Sequence, residues 1–157
     1  MPYMPTNHSD VPIRLFKSDF LEFFTHIHPG VVLLIWLPIA LWHLSRPIMA
    51  SSLTVAQIIV AFFIGMFVWS ITEYTMHRFV FHFEPKTKHP TVERLIFLFH
   101  GIHHVQPQIK TRLVMPPIVT VPLALVFYQL YAIVVGSWLA APQWIDALFA
   151  GFIVGYV

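Results

Sequence analysis

Residues 53–82 read LTVAQIIVAFFIGMFVWSITEYTMHRFVFH, and this stretch decides what kind of protein the chain is. Leu53 to Ile71 holds nineteen residues without a formal charge, about the ~20 that a helix needs to cross ~30 Å of hydrocarbon. No breaker follows. Thr72, Glu73, Tyr74, Thr75 and Met76 lead directly to His77, so one helix is expected to leave a bilayer with His77 near its exit.

Composition outside that stretch agrees. Of 157 residues, 57% are apolar and 10% charged, with a mean hydropathy of +0.73, whereas soluble domains carry about 25% charged residues. Disorder, collagen-like repeats and an ordinary soluble globule are excluded. Ten His outnumber nine Lys and Arg together, and no Cys is present. Disulfides and thiolate metal sites are therefore excluded, and imidazole is left as the ligand to look for. A net charge of +2 is too small for a nucleic-acid binder that must neutralise phosphates.

Three further apolar runs complete the expected architecture. Val31–Leu44 reaches spanning length if counted from Pro29, Ile118–Val135 follows Pro116 and Pro117, and a fourth runs from Trp144 to Val157. Fourteen residues in the fourth cover ~21 Å, so it is expected to be a span cut short. Six of the nine basic residues, Arg78, Lys86, Lys88, Arg94, Lys110 and Arg112, lie between spans two and three. The positive-inside rule makes that interval, and the N-terminus with Arg14 and Lys17, cytoplasmic. Residues 1–28 are expected to form an interfacial segment with a short amphipathic helix over 15–24, and residues 29–157 the membrane domain. The fold expected is an all-α integral membrane protein: three transmembrane helices, a truncated fourth, and a cytoplasmic His-bearing helical segment between helices 2 and 3.

Half of the histidines fall in that interval, as His77 and His82, then His100, His103 and His104. On a helix the positions i, i+3 and i+4 share a face, so the last three are expected to converge. His77 and His82 lie ~140° apart on an ideal α-helix and are expected to straddle a helix end or to address different metals. Imidazole suits iron, zinc, copper and nickel. Glu73, four residues before His77, is read either as a ligand or orienting group or as the polar exit of the span. His8, His26, His28, His43 and His89 have no such spacing and read as structural. Phe79, Val80, Phe81 and Phe83, with Ile96 to Phe99, read as interfacial anchors or as an apolar approach for a lipid.

HRFVFH at 77–82, FHGIHH at 99–104, Pro107 and TRLVMPP at 111–117 resemble the fatty acid hydroxylase superfamily, most nearly its fatty acid 2-hydroxylase branch. The resemblance implies a cytoplasmic dimetal centre, with iron expected for activity and zinc acceptable in isolated protein. His77, His82, His100, His103 and His104 would be metal ligands. It also implies hydroxylation of a lipid acyl chain at C2 with O2 and a separate electron donor such as cytochrome b5 or ferredoxin. The chain departs from the branch at Ile109, where an acidic residue is usual, and lacks an N-terminal cytochrome b5 domain. It also ends before a second His pair and a second His-x2-His-His, so alone it is expected to be nearly inactive. Two other readings compete: a sterol or carotenoid hydroxylase or desaturase, and a non-enzymatic metal- or haem-binding membrane protein.

Overall fold

The computed structural model describes residues 6–83 and 89–157, and for Phe99 the backbone only; Lys86 and Lys88 lie outside it. Among the described residues all regular structure is helical: α1 Asp19–Phe23, α2 Pro29–Met49, α3 Val55–Thr75, α4 Pro90–Ile96, α5 Ile102–Val105, α6 Pro117–Tyr131 and α7 Ile145–Tyr156. Three stretches are long and apolar enough to cross a membrane: Pro29–Met49, Val55–Phe81 and Lys110–Trp138. Within the last, α6 is followed by a π-helical turn over Ala132–Trp138. The helix at the fourth apolar run, α7, has twelve residues, ~18 Å of rise. The first span runs past its expected close at Ser45-Arg46-Pro47 to Met49. Arg46 in the last turn suits the negative end of the helix dipole.

The chain forms two compact units interleaved in sequence: Gly30–Glu73 with Pro117–Val157, and Met1–Pro29 with Tyr74–Pro116. In the first, small residues four apart let two backbones touch. On α3, Ala61 packs with Ala147 of α7, Gly65 lies against the Leu148 and Phe152 backbone, and Gly151 and Gly155 of α7 lie against the Phe62 backbone and the Trp69 side chain; Ala61, Ala147 and Ala150 are fully buried. A Cβ built on Gly65 would lie 1.9 Å from the Leu148 carbonyl oxygen, and one on Gly151 1.8 Å from that of Phe62. Lipid tails are as apolar as leucine, so close packing of this kind is what holds helices together in a bilayer. Aromatic edges fill the remaining space, with Trp69 5.0 Å from Phe152 and Trp36 5.9 Å from Tyr156. Leu34, Phe67 and Leu125 point outward, as lipid-facing side chains do.

His43 and Thr120 are buried polar side chains within this apolar unit. Buried His43 places Nδ1 2.7 Å from an Asp146 carboxylate oxygen, and Arg46 Nε lies 3.3 Å from the other oxygen. A lone charge there would be costly, and the three side chains satisfy one another. His43 is structural, as the sequence suggested.

In the second unit, α4 starts on His89, whose Nδ1 accepts from the Thr91 N–H at 3.3 Å. α1 covers five residues, half the amphipathic helix expected, because the backbone just before it is held by local side chains: the Leu15 and Phe16 N–H groups donate to Glu22, and the Phe16 and Lys17 carbonyls accept from Arg14.

The α3–α7 contact predicts that Gly151→Leu lowers stability by about 3 kcal/mol or more, the upper range for overpacking. Gly136→Ala, whose Cβ would meet only the Ile145 Cδ1 methyl at 3.2 Å, should melt close to the parent. Thermal melts in detergent followed by circular dichroism compare the two; equal midpoints would remove the contact.

Candidate metal centre

After Thr75 the helix changes character. Met76–Phe81 is π-helical, and the His82 N–H donates to the His77 carbonyl at 3.2 Å. The wider i→i+5 turn carries residue i+5 back over residue i. His77 and His82 therefore do not diverge as an α-helix would make them. Their Nε2 atoms are 3.0 Å apart. A second π-helical turn, Phe97–Gly101, holds His100 and passes into α5, which carries His103 and His104.

The two motifs meet through their ring nitrogens. His82 Nε2 lies 3.4 Å from His100 Nε2, which lies 2.8 Å from His104 Nε2. Ligand atoms of His77, His82, His100 and His104 all fall within 4.8 Å of one another. A metal bound to four imidazoles at 2.0–2.1 Å separates adjacent nitrogens by ~3.3 Å in tetrahedral geometry, so side chains whose ligand atoms lie up to 4.8 Å apart fit one ion with shifts of up to about 0.7 Å per nitrogen. His103 stands apart. Adjacent helical residues are ~100° apart, so His103 and His104 flank His100 on opposite sides and only His104 turns toward the first motif. The His103 ring centroid lies 6.0 Å from that of His100, and its buried Nδ1 has no hydrogen-bond partner among the described residues. Glu73 is exposed and outside the four-residue group.

Burial and mutual repulsion favour the neutral form of His100, His103 and His104. His100 is 7% exposed and stacks on Phe81 at 5.1 Å. Burial first, then the neighbouring His104, His77, His82 and His103, bring its pKa down to about 4. Burial is also the main cause that lowers His103 and His104. Near neutral pH the lone pairs are free to bind a metal, and a neutral imidazole set selects iron, zinc, copper or nickel over calcium and magnesium. Phe79, Val80 and Phe83 are exposed, whereas Phe81 packs on the cluster; the side chain of Phe99 is outside the described set.

Behind the second motif lies an assembly that sequence reasoning did not find. Arg112, 8% exposed, donates to the Ile13 carbonyl at 2.6 Å and to a Glu22 carboxylate oxygen at 2.8 Å, and meets His26 Nε2 at 2.8 Å. The other Glu22 oxygen accepts from the Leu15 and Phe16 N–H groups at 2.9 and 2.8 Å. His26 is thereby structural. The sequence marks Arg112 as a cytoplasmic charge and as part of TRLVMPP, but bonds made largely to backbone leave no hydrophobic period, so nothing there announces the assembly it forms with Glu22.

No protein-family model matches this chain. It is 37% identical over 144 residues to the dihydroceramide fatty acyl 2-hydroxylase FAH1 of Arabidopsis thaliana, covering 92% of this chain and 57% of that protein. It is 36% identical to the ceramide very long chain fatty acid hydroxylase SCS7 of Saccharomyces cerevisiae, over 89% of this chain and 35% of that one. To the fatty acid 2-hydroxylase of Rattus norvegicus it is 33% identical, over 93% and 42%. Among solved structures it is similar to full-length scs7p, in which only the hydroxylase domain is visible, with a TM-score of 0.77 at 35% identity, over 90% of this chain and 51% of that one. The chain thus spans about half the length of the relatives it matches, and across that shared segment it is a homologue of the fatty acid 2-hydroxylases.

The Glu22 contacts set an acid limit on folding. Burial acts to raise its carboxyl pKa, but the Phe16 and Leu15 N–H groups and the Arg112 charge outweigh it, leaving the pKa below the ordinary 4.5. A group depressed by folding stabilises fully above its unfolded pKa, and that contribution is lost as pH falls through the folded value. Denaturant titrations should therefore show stability declining below about pH 4.5. Glu22→Gln should be less stable at pH 7 and show a shallower acid slope; an unchanged slope would contradict the pairing.

Proposed function

We propose that this homologue of the fatty acid 2-hydroxylases carries metal-binding histidines of a membrane-bound oxygenase that hydroxylates a lipid acyl chain at C2, using O2 and electrons from a separate donor. The observation that carries the reading is the convergence of four Nε2 atoms from two motifs within 4.8 Å. His77, His82, His100 and His104 would hold one metal, and His103, with its buried unpartnered Nδ1, would face a second of a dimetal pair. Redox metal chemistry, with iron as the expected metal, is what breaks an unactivated C–H bond, a task beyond side-chain acid–base catalysis.

The chain's own part is to place and shield. Two helical turns bring imidazoles from both motifs to one place. The helix Val55–Phe81 has 27 residues, more than the ~20 that hydrocarbon requires, so it can carry His77 and His82 out to the headgroup level. Exposed Phe79, Val80 and Phe83 offer an acyl chain apolar surface beside the first motif. The excess of Lys and Arg between the second and third spans supports a cytoplasmic position for the centre. A soluble or membrane-bound electron donor such as cytochrome b5 or ferredoxin would then reach it from that side. The relatives' names speak of fatty acyl and ceramide groups, which favours an acyl substrate over a sterol or carotenoid.

Metal analysis of the purified chain should find one iron or zinc per polypeptide, and His100→Ala should lower that content at least tenfold. Expression of an intact version in a host lacking 2-hydroxylated lipids should yield 2-hydroxy acyl chains by mass spectrometry. Altered sterols or carotenoids without them would overturn the substrate assignment.

A further inference from the structure

We infer that the N-terminal segment from Asn7 to Ile27 is a clamp that positions the second His motif, acting through Gln106 and Arg112; the inference rests on the metal-centre reading above. Gln106 ends α5 two residues after His104, and it is fully buried. Its amide is spent on the backbone of the N-terminal segment. Oε1 accepts from the Ile13 N–H at 2.8 Å, and Nε2 donates to the carbonyls of Val11 at 3.0 Å and Ser9 at 3.3 Å. Next to it the Asn7 N–H donates to the Val105 carbonyl at 2.7 Å, and Gln108 Nε2 donates to the Asn7 and Ser9 carbonyls at 2.7 and 2.9 Å.

The same segment is tied again further along the loop. Arg112 grips Ile13 and Glu22, the Ile27 N–H donates to the Thr111 carbonyl at 2.8 Å, and His26 Nδ1 meets Thr111 Oγ1 at 2.9 Å. The loop Val105–Arg112 is thus held at both ends by residues about a hundred positions earlier in the chain. A membrane-surface anchor would have no need of such bonds.

The clamp matters because α5 is the last turn of a helical run that continues from Pro90 through the π-helical turn Phe97–Gly101 to Val105, and the last turn of a helix has carbonyls without intrahelical partners and frays unless it is capped. The direction of His104 is therefore fixed from both sides. On one side the chain continues into the π-helical turn that carries His100; on the other, Gln106 anchors it. A buried amide left unbonded is costly, so the loop has one low-energy seat, and His104 Nε2 keeps its 2.8 Å approach to His100 only while Gln106 occupies it. Gln106 and Arg112 are positioning residues that touch no metal. Partners that orient metal ligands typically change affinity 10–100-fold when removed.

Cobalt(II) titration of the full 157-residue chain in detergent tests this, because the intensity of cobalt absorption bands reports coordination geometry, which a general loss of stability would not alter in a folded protein. The parent chain should bind one cobalt with intense tetrahedral bands. Gln106→Leu, with helical circular dichroism unchanged, should bind at least tenfold more weakly and with weakened bands. Arg112→Lys, which keeps the charge but loses the fork, should bind about threefold to tenfold more weakly, and it decides the matter if Gln106→Leu does not fold. Parent-like affinity and spectrum in the folded variants would overturn the clamp and leave the metal centre standing. Failure of the parent chain to bind cobalt would overturn the metal centre, and the clamp with it.

Discussion

Four imidazole nitrogens facing one another within 4.8 Å are the arrangement to which the surrounding turns conform. Nitrogens this close can share protons or a cation, but they do not tolerate several charges. Protonation of one ring is opposed by its neighbours and by burial, which is why the His100 pKa stands near 4. His100 and His104 are thereby held in the neutral form that offers a lone pair to a metal. Holding the cluster requires that residues five apart in the first motif lie over one another, a demand an α-helix does not meet. The π-helical turn from Met76 to Phe81 meets it, at the cost of less favourable backbone geometry.

The apolar unit solves a different problem, set by its solvent. Hydrocarbon supplies no hydrophobic drive for helices to associate, so the contact between α3 and α7 depends on backbone proximity through Gly65 and Gly151. Hydrocarbon also supplies no hydrogen bonds, so the Asp146 carboxylate has His43 on one oxygen and Arg46 on the other. Apolar bulk faces outward and small residues face inward, the reverse of the size order in many soluble cores, because outward bulk is at no disadvantage in lipid.

This division explains what could be read in advance. A charge-free run such as Leu53–Ile71 has one economical fate, and the three spans follow from it. The pairing of His100 with His104 follows from helical periodicity. The placement of His82 did not, since periodicity arguments assume 3.6 residues per turn and nothing in HRFVFH announces a π-helical turn. His103 was misplaced for a related reason: sharing a helix face at i+3 and i+4 leaves two residues ~100° apart, enough to send one toward the first motif and the other past it. The N-terminal clamp was illegible because its bonds go to backbone groups, which every sequence has. Its 5-residue α1 is what remains of an amphipathic pattern whose preceding residues are committed elsewhere.

The surplus of histidine, finally, divides by the company each ring keeps. His43 meets a carboxylate, His26 a threonine hydroxyl, a carboxylate and a guanidinium, and His89 a backbone N–H at a helix start. In each the imidazole does a job that another polar side chain of similar reach could do. Among the described residues His82, His100 and His104 have further Nε2 atoms as Nε2 neighbours, and His77 completes the chain. A neutral Nε2 offers either one N–H or one lone pair, so His82 and His100, each set between two other Nε2 atoms, cannot serve both neighbours with a single proton or lone pair. The four ligand atoms lie within 4.8 Å of one another, a spacing suited to a cation, whereas His43, His26 and His89 have partners of other kinds.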